Sequence, residues 1–80
     1  MAPVYDTLDN LQFGETAVIE SVGNDDMSLR LLDMGCVPGE AVILEKIAPL
    51  GDPIAIQVSG SLLSMRLAEA STVRIRRTLN

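Results

Sequence analysis

Cys36 is the one soft ligand in a chain that has no histidine and no second cysteine. A ferrous or zinc site wants three or four convergent His, Cys, Asp or Glu ligands. Cys36 is therefore expected to pack as a small buried hydrophobe, with no metal site and no internal disulfide, an intermolecular disulfide or metal bridge being the alternative. Asn24, Asp25 and Asp26 offer oxygen ligands, but the spaced loop and distal bidentate glutamate of a calcium site are missing, so helix capping is the expected role. Catalysis has less to work with. No Ser or Cys has a histidine base, and Tyr5 and Lys46 stand alone, so the chain reads as a non-enzyme without catalytic residues or cofactor.

Two features suit binding better. Arg66, Arg74, Arg76 and Arg77 form the basic cluster of an otherwise acidic chain, and if the last two strands adjoin, several share one outer face. Such a face is either ordinary solvated surface or a landing patch for an acidic partner. Leu50 sits between Pro49 and Gly51 at a turn where an apolar side chain gains little from its own core. It either folds back into that core or stands exposed as an anchor, stiffened by Pro49 and Pro53 so that docking orders little.

The elements that must position these residues belong to one small domain spanning residues 1–80. At 80 residues and 48% hydrophobic, the chain buries roughly 60 to 65% of its unfolded surface, which leaves no material for a second domain. A net charge of −5, from 11 acidic and 6 basic side chains, repels phosphate backbones and anionic lipid, so nucleic acid is not an expected partner. Met1 leads into polar residues without an apolar signal region, and there is no apolar run of about 18 residues to cross a membrane, so a cytoplasmic protein is expected.

Along the chain, Ala2 to Gly14 predicts a short turn with Thr7 as a candidate N-cap. Thr16 to Val22 is β-branched, with apolar residues on both alternating faces, and predicts a strand covered on both sides. Asp25 and its neighbours open a helix of about ten residues to Met34 whose apolar stripe is Met27, Leu31 and Met34, widened by Leu32. Gly35 is placed where a left-handed residue ends a helix, and Pro38-Gly39 cannot continue one, so Leu31 to Gly39 is a corner.

Ala41 to Ile47 then predicts a second strand covered on both faces, Val42 and Leu44 against Ala41, Ile43 and Ile47. Ala48 to Pro53 is the turn of a hairpin whose return strand alternates Ile54, Ile56 and Val58 with Ala55 and Gln57. Leu63 and Met65 mark another strand, Ala68 to Ala70 permits one helical turn, and Thr72 to Arg77 closes the chain with Val73 and Ile75 inward and Arg74 and Arg76 outward. The fold class is all-β: about five short strands with a helix after the first, expected to close into a small barrel that removes exposed edges.

Leu31-Leu32-Asp33-Met34-Gly35-Cys36-Val37-Pro38-Gly39, then Ala48-Pro49-Leu50-Gly51-Asp52-Pro53, then Arg66-Leu67-Ala68-Glu69-Ala70, together resemble FeoA, the small cytosolic partner of bacterial ferrous iron uptake. The resemblance covers nearly the whole chain and makes Leu32, Gly35, Pro38, Gly39, Pro49, Gly51, Asp52 and Pro53 its structural motif residues. It implies an SH3-like β-barrel with a helix inserted after the first strand. It also implies an accessory role beside FeoB, the membrane permease with a GTP-binding domain, rather than an activity of the chain's own. The chain departs from the usual family pattern at Leu67, where a basic residue is common, and at Leu62, where a polar one is. Both are expected to be exposed apolar residues.

The leading expectation is thus an adaptor that binds FeoB through Leu50, Leu62, Leu67, Arg66, Arg74 and Arg76, cytoplasmic and peripheral to the inner membrane through its partner. The alternative is a regulatory domain, since the same pattern resembles the C-terminal domain of iron-dependent repressors, although this chain shows no room for a winged helix. A direct iron carrier is a third class, disfavoured by the poverty of ligands. Should the barrel leave its last strand unpaired, a homodimer through that strand is the simplest consequence.

Overall fold

The computed structural model describes residues 3–78. Pro3–Thr7 forms strand β1 and runs into a single 3-10 turn, Leu8–Asn10. Thr16–Val22 is β2, Asp26–Asp33 the helix α1, and Ala41–Ile47 and Ile54–Val58 the strands β3 and β4. Ser61–Met65 is β5, Leu67–Ala70 the short helix α2, and Val73–Thr78 is β6. All strands join one antiparallel sheet in the order β1-β6-β2-β3-β4-β5.

The sheet bends around its core because both central strands are bulged. The register of β2 slips between Ile19 and Ser21, and that of β3 between Leu44 and Lys46. An extra residue on one strand kinks it and raises its twist. The inner face then buries Ala17, Ile19, Val42, Leu44, Ile56 and Ile75, with Leu31 of α1 and Leu8 of the 3-10 turn closing the core.

Several expectations are corrected. The mainly β class holds, but among the described residues there are six strands, the helix follows the second, and the sheet does not close: β1 and β5 are its edges, each paired on one side only, with α2 packed on the 3-10 turn. The predicted segment Ala2 to Gly14 begins outside the described residues and contains β1 as well as the turn. Thr7 flanks that turn without capping it, its hydroxyl donating instead to Asp9 Oδ1.

β2 and β3 are covered on one side only. Val18 and Ile43 are half-buried on the outer face and Ala41 is exposed. The bulge at Glu45 moves Ile47 across to the face of its partner Ile54, where it lies at the rim, 48% exposed. In α1 the buried positions are Ser28 and Leu31, while Met34 caps the helix C-terminus and is exposed.

The corner is geometry, as its residues suggest. Cys36 N–H donates to Leu31 O at 2.9 Å and Gly35 N–H to Leu32 O at 3.1 Å, the paired bonds of a Schellman motif, with Leu31 and Cys36 both buried against the core. Gly35 has φ +111°, and a Cβ there would meet Ser59 Cβ at 3.3 Å. Gly39, at φ +95°, donates its N–H to Ile19 O, which brings the chain back onto the sheet.

Candidate partner-docking surface

The turn between β3 and β4 is held at both ends. Ala48 N–H donates to Pro53 O at 3.1 Å and Gly51 N–H to Ala48 O at 2.7 Å, with Gly51 at φ +91° supplying the left-handed step. Leu50 stands at the tip, 96% exposed, so folding back into the core is excluded. No other large apolar residue among the described residues is as open.

Asp52 links this turn to α2. Its Oδ1 accepts the Leu67 N–H at 3.0 Å, and Glu69 Oε1 accepts the Arg66 N–H at 2.8 Å. Two amides at the start of α2, which no helical carbonyl can reach, are thereby satisfied, one of them from 15 residues away. The motifs around Asp52 and Arg66 are thus one structural unit. Leu67 is corrected from exposed to half-buried, packed against the core beneath it, whereas the Arg66 side chain points into solvent.

Leu62 lies on the outer face of β5, 53% exposed, opposite Gln57. Arg74 and Arg76 lie on the outer face of β6, Arg74 across from Thr7 and Ser21 and Arg76 across from Tyr5 and Val18. β5 and β6 do not adjoin, because β2, β3 and β4 separate them. The shared face expected of several arginines is therefore split into Arg66, ahead of α2, and the pair Arg74 and Arg76 on β6.

Arg77 is half-buried and turns to the N-terminal segment. It forms ion pairs with Asp6 at 2.6 Å and with Glu15, and its Nη2 donates to Asn10 O. Arg77, then Asn10 and the Thr7 N–H, hold the Asp6 carboxyl down at about 2. Burial pushes the Glu15 carboxyl up, but hydrogen bonds from Arg77 and Gln12 N–H outweigh it and leave it below its ordinary value. The network ties β1 and the 3-10 turn to β6 and to Glu15, just ahead of β2.

Cys36 is buried, and burial pushes its thiol pKa up. Asp25 caps α1, accepting the Ser28 N–H at 2.8 Å. Among the described residues no three His, Cys, Asp or Glu side chains gather to hold a metal. Phe13, 70% exposed, was not singled out by spacing, although its place beside Gly14 in a turn is the available signal. The exposed apolar residues nearest the docking turn in the chain are Ile47 and Leu62.

Residues 7–77 match the FeoA domain family. The fold is similar to the FeoA protein of Chlorobium tepidum, at 35% identity and TM-score 0.84 over 92% of this chain and 71% of that one. It is also similar to FeoA of Stenotrophomonas maltophilia complexed with zinc, at 35% identity and TM-score 0.78 over 88% of each chain. That protein is described as a procaryotic SH3 domain protein and a candidate ferrous iron transport activating factor, and the fold of the present chain is SH3-like. A manganese-dependent transcriptional repressor shares the fold at 11% identity and TM-score 0.82, over 98% of this chain and 44% of that one. A search of the curated proteins finds no match.

Proposed function

The chain belongs to the FeoA family, and from that premise we propose that it is a non-catalytic cytosolic adaptor that binds the iron(II) permease FeoB and supports ferrous iron uptake. Leu50 carries this reading: an apolar side chain 96% exposed on a turn hydrogen-bonded at its base is pre-ordered for docking. Arg66, adjacent through the Asp52 link, and Leu62 extend the contact. Leu67 serves it from below by seating α2. Arg74 and Arg76 form a separate basic pair that steers an acidic surface toward the chain. The description of the Stenotrophomonas relative as an iron transport activating factor supports an accessory role of this kind.

Titration of full-length FeoB in detergent with the chain, with and without guanine nucleotide, tests the reading. Saturable binding in at least one nucleotide state is expected, and no binding in any state overturns it. The second reading, a regulatory domain of repressor type, draws on a likeness of fold alone.

A further inference from the structure

The sheet has two edges, and only one is guarded. β1 carries Pro3, which has no N–H to offer, and Asp6, tied to Arg77. β5 is Ser61-Leu62-Leu63-Ser64-Met65: uncharged, free of proline, unbulged, and paired among the described residues with β4 alone. Sheets ordinarily blunt an open edge with charge, proline or a bulge.

The turn before β5 fixes which backbone groups are free. Ser59 at φ 51° and Gly60 at φ 77° form a two-residue hairpin loop with positive φ at both positions, whose closing pair, Val58 and Ser61, is hydrogen-bonded. Pairs alternate from there, so Ile56 with Leu63 and Ile54 with Met65 are bonded, while Gln57 with Leu62 and Ala55 with Ser64 are not. The N–H and C=O groups of Leu62 and Ser64 therefore point away from β4. Both residues are exposed.

We propose that the β5 edge takes an extended, mainly apolar segment of a partner protein as a seventh strand, bonded to the backbone of Leu62 and Ser64 with a carboxylate of that segment against Arg66. This rests on the adaptor reading and names the manner of its contact. The outer face contributes Leu62 for an apolar neighbour on the added strand.

Charge selects the occupant. The Arg66 guanidinium is exposed just beyond β5 and takes part in no ion pair among the described residues. Lys46 lies in the same outer row as Ala55 and Ser64, a second cation on this side of the edge, with Glu45 beside it in the chain. The nearby carboxylates of Asp52 and Glu69 are hydrogen-bonded to the α2 amides. A second copy is the poorer occupant, because each chain carries a net −5.

Amide hydrogen exchange of the isotope-labelled chain, alone and with full-length FeoB in detergent, tests the proposal. In the free chain Leu62 and Ser64 exchange fast and Leu63 and Met65 slowly; in the complex Leu62 and Ser64 slow by about tenfold or more. A complex in which both still exchange fast overturns the edge contact and leaves the adaptor reading standing, whereas no complex overturns both. Concentration-dependent protection of the pair in the chain alone gives the edge to a second copy and also overturns the proposal. Ser64→Pro removes one outward N–H and no internal ladder bond, so it weakens FeoB binding about tenfold at unchanged Tm; unchanged affinity in a folded variant contradicts the proposal.

Discussion

β1 and β5 end the sheet with five residues each, but the side chains around them differ in kind. At β1 lies the one ion-pair network among the described residues: Arg77 is gripped by Asp6 and Glu15 and reaches Asn10 O, joining the N-terminal edge to β6 and to the residue before β2. At β5 the edge carries no charge, and the polar bonds nearby, Asp52 to Leu67 N–H and Glu69 to Arg66 N–H, secure α2 and leave the strand open. The difference teaches where this small domain invests its charged groups. One edge is tied down by ion pairs, and the other carries no charged side chain and pairs among the described residues with β4 alone.

On stability, the largest effect belongs to the β1 side. Arg77→Met leaves Asp6 and Glu15 facing each other without a cation and is expected to lower Tm by roughly 5 to 10 °C while FeoB affinity holds. Thermal melts beside a FeoB titration check this. A large loss of affinity in a folded variant would break the contrast between the edges.

Acid gives a smaller effect at the same place. Asp6 is held at about 2 against an ordinary 3.8, and Glu15 also lies below its ordinary value. Carboxyls depressed by folding contribute stability above their unfolded values and lose it as pH falls through the folded ones. Tm is therefore expected to drop between about pH 4 and 2, and Arg77→Met is expected to flatten that drop. A variant with the same acid profile would show that other carboxyls govern it.

Much of the fold is legible in the sequence where the signal is local. Thr16 to Val22 and Ala41 to Ile47 are found with their observed bounds because β-branched runs end at polar or glycine-rich stretches. Gly35 marks the helix stop because that position needs a positive φ. What depends on distant pairing is not legible. β1 is a strand because β6 binds it, Pro3 opposite Thr78 and Thr7 opposite Arg74, and nothing in Pro3-Val4-Tyr5-Asp6-Thr7 announces that.

The site divides in the same way. Arg77 looks like one more basic surface residue until Asp6, 71 positions away, is brought against it. Ile47 changes face because of a bulge at Glu45 that no periodicity shows. Leu50 is visible as an oddity in a proline-glycine turn, but its exposure follows from how Ala48, Gly51 and Pro53 bond to one another.

Leu50→Asp tests the account most directly, with Tm and FeoB affinity measured on the same preparation. A side chain that touches nothing of its own fold can be charged without cost, so Tm is expected to stay within about 2 °C, while affinity falls by about 2 kcal/mol, roughly thirtyfold. Unchanged affinity, or a melting temperature that falls together with it, would contradict the account.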